Sequence, residues 1–357
     1  MKKYFLLIAT FLLFSSCSKE RLNQQNDSLF INNLETTSLL IVNEDSISKM
    51  NSGEFLESTS DQREIDSIVK IGILDKITSQ EAVNEFISEY TDWSGYIHLQ
   101  INSQTVGPAN LPSTQCSVSD DFVLVGGGAY AWGWTSEGGF LTESRPNETL
   151  DAWIGSSKSH IIPDPHYLTV YSIGLRIEGV SEEYLRSKIH LYTNTSPVMN
   201  HPSTTVLIPT NCFLIGGGAR DNYGGGVGNM LVYSRPGGRT SWLVEGKDHR
   251  RPCPCTITAY AIGIEDISYP TVGNIEVDYI TQQDEGVKHG EGFVYSRVLP
   301  GWALTCCGGK TDYNGAGRML IGIYPIPDTD AQTVSKDHTW YDFGFTYSFA
   351  SMIRKAI

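Results

Sequence analysis

One short segment occurs three times along the chain, at a constant spacing of 89 residues. Its copies read Ser157-Lys158-Ser159-His160, Gly246-Lys247-Asp248-His249 and Ser335-Lys336-Asp337-His338. Other segments repeat in register upstream of these copies: Ser144-Arg145-Pro146, Ser234-Arg235-Pro236 and Ile323-Tyr324-Pro325, and before them Gly126-Gly127-Gly128-Ala129, Gly216-Gly217-Gly218-Ala219 and Cys306-Cys307-Gly308-Gly309. Self-similarity at a fixed period is typical of a repeat architecture. The sequence therefore predicts three repeats, at 92–180, 181–267 and 268–353.

Short apolar and aromatic runs bounded by Gly and Pro fill each repeat. In the first repeat they predict six strands, near 95–101, 113–118, 122–131, 138–145, 151–157 and 167–177. No long amphipathic pattern interrupts them, so the predicted fold class is all-β. The repeats suit either small separate sandwiches or barrels, or one closed body with pseudo-three-fold symmetry. The glycine triplets favour β-bulges or barrel corners, with close approach to a ligand as the alternative.

Composition excludes some classes of function. The 357 residues include 35 Gly and 18 Tyr but only 18% charged residues, which favours β structure over helical bundles, and the net charge is −14. A nucleic-acid-binding protein needs a basic face, so no nucleic-acid partner is expected. The chain contains neither Gly-x-Ser-x-Gly nor His-Glu-x-x-His, so it lacks these two hydrolase motifs. It also has no dinucleotide-binding glycine motif between a strand and a helix, and no cofactor is predicted.

The N-terminus indicates export. Basic Lys2 and Lys3 precede an apolar run at 4–14, which is too short to span a bilayer and typical of a signal peptide. The run ends in Phe14-Ser15-Ser16-Cys17, which resembles the lipobox of Gram-negative bacterial lipoproteins. This resemblance implies removal of the signal peptide, lipidation of Cys17 and a lipid anchor in a membrane. Ser18 is not the Asp that retains such proteins at the inner membrane, so the resemblance implies the outer membrane or the cell surface.

Residues 18–91 differ from the repeats. They hold 14 acidic against 6 basic residues and are rich in Asn, Ser and Thr up to residue 60, as expected of a solvated tether. Residues 61–75 and 79–90 favour two short helices. The second begins with a capping box, Thr78-Ser79-Gln80-Glu81, before apolar residues at helical spacing.

The Lys-x-His segment is the sharpest candidate for a functional site. It follows a tryptophan in the first two repeats and is predicted to lie on an exposed turn after a strand. An aromatic ring beside cationic and polar groups suits a sugar, because the ring stacks on C–H surface while the polar groups bind hydroxyls or a carboxylate. The candidate ligand-binding residues are Arg145, Trp153, Lys158, His160, Arg235, Trp242, Lys247, Asp248, His249, Lys336, Asp337 and His338. The alternative is that these residues recur because each repeat needs the same turn.

Two alternatives to a non-enzymatic glycan-binding protein remain open, and one metal site is possible. A polysaccharide lyase needs a base and a group that neutralises a uronate, which the sets Arg145/Lys158/His160 and Arg235/Lys247/His249 contain. An envelope protein whose repeats contact a protein partner is the second. If the body closes about a three-fold axis, a three-histidine metal site at His160, His249 and His338 becomes geometrically possible.

Six cysteines follow Cys17, namely Cys116, Cys212, Cys253, Cys255, Cys306 and Cys307. Export favours disulfides among them, and six cysteines allow 15 pairings, between which the sequence does not choose. A soft-metal site formed by thiolates of Cys253, Cys255, Cys306 and Cys307 is the alternative.

Overall fold

A computed structural model describes residues 85–357 except 137, 226–227, 266–267, 270–272, 287–290, 316, 328–329 and 339–340. The signal peptide, Cys17 and most of the tether therefore lie outside the described residues. The first repeat contains β2 (Ile97–Ala109), β3 (Ser113–Ser117), β4 (Val123–Trp132), β5 (Phe140–Pro146), β6 (Ala152–Lys158) and β7 (His166–Ile177), preceded by β1 (Glu85–Thr91). All six predicted strands of this repeat are confirmed, with bounds that differ by a few residues except in β2, which runs on to Ala109 rather than ending at 101.

The second and third repeats have the same order of strands. The second contains β8 (Ile189–Thr195), β9 (Ser203–Leu207), β10 (Cys212–Asp221), β11 (Met230–Pro236), β12 (Ser241–Lys247) and β13 (Ile257–Glu265). The third contains β15 (Gly273–Gln283), β16 (Glu291–Arg297), β17 (Ala303–Thr311), β18 (Met319–Ile326), β19 (Asp330–Lys336) and β20 (Thr346–Lys355), after the short β14 (Ser268–Tyr269). One short helix, α1 (Glu182–Lys188), precedes β8 and is capped by Ser181.

Three antiparallel sheets form the body, and each is built from two repeats. Their strand orders are β1-β2-β7-β4-β18-β19-β16, β3-β6-β5-β10-β13-β8 and β14-β15-β20-β17-β11-β12-β9. The third strand of each repeat thus pairs with the fourth strand of another, in the joints β4–β18, β10–β5 and β17–β11. Because the three joints connect the repeats in a ring, the body is closed and pseudo-three-fold. This decides between the two architectures that the sequence left open.

The glycine triplets lie where strands of different repeats meet. Register shifts mark a β-bulge between Leu124 and Gly126, and the same bulge recurs in β10 and β17. A Cβ on Gly126 would collide with the Thr305 carbonyl and lie 2.6 Å from the Cys306 Cβ. Both earlier interpretations hold in part, because the glycines form bulges and permit close approach, but the neighbour is another repeat rather than a ligand.

One large apolar core runs through all three repeats, and a smaller one contains Phe140, Met230 and Met319, which begin equivalent strands. Residues 85–90 of the predicted second helix are instead part of β1, which pairs along β2. The strand forms because β2 offers an edge for backbone pairing, while Ile87 and Tyr90 pack against the core. The described residues contain no helix whose length and hydropathy would let it span a lipid bilayer.

Candidate functional site

The repeated lysines fasten each repeat to the next. Lys158 Nζ donates to the Gly228 carbonyl, Lys247 Nζ to the Gly315 and Gly317 carbonyls at 2.7 and 3.0 Å, and Lys336 Nζ to the Ser136 carbonyl at 2.8 Å. Each acceptor belongs to the loop between the third and fourth strands of a different repeat. The three ammonium groups also lie over aromatic rings of these loops, namely Tyr223, Tyr313 and Trp134, at 3.9, 4.1 and 3.3 Å.

Burial lowers the pKa of two of these lysines. Lys158, Lys247 and Lys336 are at most 2% exposed. Loss of hydration lowers the pKa of Lys158 and of Lys247 to about 8, although nearby carboxylates partly oppose the shift. Charge-assisted bonds to carbonyls and rings compensate for the lost hydration. The lysines therefore stabilise the contacts between repeats and are inaccessible to a large ligand.

Two residues after each lysine, the histidines converge. Candidate ligand nitrogens of His160, His249 and His338 all lie within 4.8 Å of one another, and the three side chains are buried. The rings meet edge to face, with centroids 4.5–5.2 Å apart. His160 Nε2 donates to the His249 carbonyl at 2.9 Å, across 89 residues of sequence. Burial, together with neighbouring His249, His160, Lys336 and Arg250, lowers the pKa of His338 to about 2, so this imidazole is neutral at physiological pH.

The remaining candidate residues lie in the core or in local ion pairs. Trp153 and Trp242 are buried, and their indole N–H groups donate to Ser144 and Ser234 at 3.0 and 2.9 Å. Arg145 is buried and pairs with Glu143 at 2.7 Å. The other polar candidates also have neighbours: Arg235 donates to the Pro236 carbonyl, Asp248 pairs with His201 and Asp337 lies 3.5 Å from Arg318.

The expected exposure of the Lys-x-His turn is therefore wrong. The strand that precedes it ends at the meeting point of the three repeats, so the side chains that follow point into the body. Burial of the lysines and histidines leaves no aromatic and polar surface at these positions for a sugar to stack on. A ligand-binding role for them stays a prediction, now restricted to a ligand small enough to be enclosed.

The predicted disulfides are not formed, and all six cysteines between residues 85 and 357 are free thiols. Five of the six thiols contact a group other than a cysteine. Cys116 contacts Ser172, Cys212 contacts Tyr192, Cys253 approaches the Tyr223 carbonyl, Cys255 contacts Asp221 and Cys306 contacts the Gly217 carbonyl. Cys306 and Cys307 are fully buried, and burial raises the pKa of both thiols.

A polar cleft opens at the joint between the first and second repeats. Its volume is 410 Å³, and its lining includes Ser156, Glu143, Arg220, Asn222 and Tyr223. Glu143 and Arg220 face each other in the β5–β10 register. Arg220 is half-exposed and its Nε lies 3.6 Å from Glu143 Oε1. Pockets for small ligands typically have volumes of about 300–1,000 Å³, so this cleft is large enough to hold one.

The other two joints carry different side chains at the positions of Arg220 and Glu143. At the joint of the third and first repeats, Tyr130 replaces Arg220 and Gly322 replaces Glu143. There Tyr130 stacks on Tyr324, with ring centroids 4.7 Å apart. At the joint of the second and third repeats Tyr233 faces Lys310, which lies over the Tyr347 ring and pairs with Asp312. The pairs Arg220–Glu143, Tyr130–Gly322 and Lys310–Tyr233 thus occupy equivalent positions in the three joints but differ in chemistry.

Asp221 adds an unusual carboxyl group at the cleft. Burial raises its pKa to about 7, despite the opposing effects of the Cys255 thiol and Lys158. Its Oδ2 and Asn229 Oδ1 are buried without a donor and lie 2.6 and 2.9 Å from where a Cβ of Gly246 would stand. Two acceptors that face one space need a donor between them, and a protonated Asp221 supplies it.

Sequence reasoning missed the cleft because it searched for residues that recur. The signal was present in the departures from the repeat: Asp221 replaces Ala131 and Thr311, and Gly246 replaces Ser157 and Ser335. Asp221 Oδ2 occupies the space that a serine side chain at position 246 would need. The two substitutions are therefore mutually compatible, and they occur only in the second repeat.

No family model matches the chain, and no curated protein sequence matches it either. Among solved structures, the chain has a weak likeness to one titled "Life in the extremes: atomic structure of Sulfolobus Turreted Icosahedral Virus". That alignment covers 78% of this chain and 91% of the other, at 8% identity and a TM-score of 0.16.

Proposed function

We propose that this protein is a lipid-anchored, exported binding protein that captures an extracellular glycan, without catalysing a reaction, in the cleft between its first and second repeats. The observation that carries the proposal is the lining of the cleft. Glu143, Arg220, Asn222 and Ser156 place hydroxyl, amide, carboxylate and guanidinium groups around one opening. Sugars are recognised by such fixed polar groups, which bind their hydroxyls.

The cleft is rigidly supported, which favours binding. Glu143 is held by Arg145 at 2.7 Å, and Ser156 lies 2.7 Å from Thr142. Asn222 donates to Thr256 and Thr258 at 2.9 and 3.1 Å. Because these side chains are already positioned, less conformational entropy is lost when a ligand binds. The lipid anchor at Cys17 and the part of the acidic tether before β1, residues 18–84, belong to the same proposal and would hold the body at the outer membrane or cell surface.

A second candidate function is glycoside hydrolysis, favoured by one observation. Asp221, with a pKa of about 7, is about half-protonated at neutral pH, and Glu143 is an ion-paired carboxylate lining the same cleft. A protonated acid with a nearby carboxylate is the pair that glycoside hydrolysis requires. The lyase alternative rests on Lys-x-His side chains, and the lysines and histidines concerned are buried.

A glycan array probed with the full-length protein tests the proposal. We expect binding that falls at least about tenfold in Arg220→Met, since loss of one charged hydrogen bond has that effect. The matched control is Lys310→Met, which changes the equivalent position in the joint of the second and third repeats and should leave binding unchanged. No signal from the wild-type protein, or equal signals from both variants, would contradict the proposal. Cleavage of a bound glycan that is lost in Asp221→Asn would favour the hydrolase instead.

A further inference from the structure

The histidine cluster has the composition and arrangement of a metal site. Its three members come from equivalent positions of three repeats, and their candidate ligand nitrogens lie within 4.8 Å of one another. Zinc–nitrogen bonds of about 2.0–2.1 Å require nitrogens about 3.4 Å apart in a tetrahedron. Inward movement of each ring by less than about 1 Å would close that difference. The separation therefore suits one shared ion.

One hydrogen bond fixes the tautomer of the first ring. A carbonyl can only accept, so His160 Nε2 must carry the proton that it shares with the His249 carbonyl. The lone pair of His160 is therefore on Nδ1. Ligand histidines in proteins commonly donate their other ring N–H to a carbonyl or carboxylate, which fixes the tautomer and the orientation of the ring. His160 makes a hydrogen bond of this kind to the His249 carbonyl.

The surroundings favour a structural ion. His160, His249 and His338 are 0–1% exposed, and Phe140 packs against the His338 ring with centroids 5.3 Å apart. The lysines two residues upstream direct their ammonium groups to carbonyls and rings of the loops. An ion here has no route to a large substrate, but it would join one residue from each repeat.

We propose that His160, His249 and His338 bind one transition-metal ion of the zinc class, which fastens the three repeats together at their meeting point. Three imidazole ligands suit Zn²⁺, Co²⁺, Ni²⁺ and Cu²⁺, and exclude Mg²⁺ and Ca²⁺, which prefer oxygen. The fourth position takes a water molecule or a small anion. This site is independent of the glycan cleft, because it lies among different residues and requires no sugar.

Metal titration of the chelator-treated full-length protein tests the site, with Zn²⁺ and Co²⁺ as the probes. We expect one ion per chain by elemental analysis, a visible Co²⁺ spectrum of tetrahedral type, and a higher melting temperature with Zn²⁺. His160→Gln, His249→Gln and His338→Gln should each weaken binding more than about 100-fold. His190→Gln is the matched control, since this half-exposed histidine pairs with Glu265 outside the cluster, and it should bind normally.

The wild-type spectrum keeps the test decisive if a variant does not fold. Imidazole ligands give no sulfur-to-cobalt charge-transfer band, whereas the free thiols of the chain would give one. A near-ultraviolet sulfur band, or a wild-type protein that takes up no ion, would overturn the proposal. So would folded variants of all three histidines that still bind one ion.

Discussion

The joint between the first and second repeats and the joint between the third and first have the same backbone pairing but different contents. In the first, Arg220 faces Glu143 beside an open cleft; in the second, Tyr130 faces Gly322 and stacks on Tyr324. Backbone pairing needs only extended strands, so the side chains at a joint are free to differ once closure is secured. The difference teaches that closure depends on the repeated residues, whereas ligand recognition is expected at positions where the repeats diverge.

A side chain added at a glycine bulge should give the largest effect, because Gly126 and Gly216 each lie against the backbone of a neighbouring repeat. Gly126→Ala places a methyl group against the Thr305 carbonyl, which is backbone and cannot turn away. We expect a loss of about 4 kcal/mol or more in the free energy of unfolding, measured by chemical denaturation. Gly224→Ala is the control: it has open space but a φ of +64°, and should cost only about 1 kcal/mol. Equal losses would show that close approach between repeats is unimportant.

Asp221 distinguishes the second repeat through its pH dependence. Its folded pKa of about 7 lies above the ordinary aspartate pKa of 3.8, so the unfolded chain loses this proton first and stability falls as pH rises from about 4 to 7. Asp221→Asn removes that penalty while retaining a donor toward Asn229. The variant should gain on the order of 3 kcal/mol relative to wild type between pH 4 and 7.5. Parallel stability curves over that range would contradict a raised pKa.

A buried lysine tests the fastening between repeats. Lys247→Met removes the hydrogen bonds to the Gly315 and Gly317 carbonyls while keeping an unbranched apolar stem. Two carbonyls lose a charged donor, so we expect a loss of about 2 kcal/mol in the free energy of unfolding. Lys188→Met provides the contrast, because its Nζ pairs with Glu265 at the surface and its removal should change stability little. A variant as stable as wild type would show that the lysines do not fasten the repeats.

The smallest effect is expected at the cleft. Arg220→Met should leave the melting temperature within about 2 °C of wild type, because half-exposed Arg220 makes only a 3.6 Å ion pair with Glu143. A large drop in thermal stability would make Arg220 a structural residue and would remove the contrast between recognition and closure.

Much of the fold followed from the sequence because strands leave local signals. Turn-forming residues such as Gly, Pro, Ser and Asp separate the strands of the first repeat, and the 89-residue spacing located the other repeats. Closure did not follow, since pairing between β4 and β18 joins residues almost 200 positions apart and depends on a register that no local pattern encodes. The exposure of His160 and Lys158 was wrong for the same reason: a polar turn after a strand looks solvated until another repeat covers it. The helix predicted to 90 failed where an open edge of β2 outweighed helix propensity in β1.

The stoichiometry of glycan binding tests most directly whether recognition lies where the repeats differ. Isothermal titration calorimetry of the full-length protein, with the oligosaccharide that gives the strongest array signal, counts the sites per chain. One site that is lost in Arg220→Met and kept in Lys310→Met is the expected result. Three equivalent sites per chain would contradict it, because they would place recognition in residues that all three repeats share.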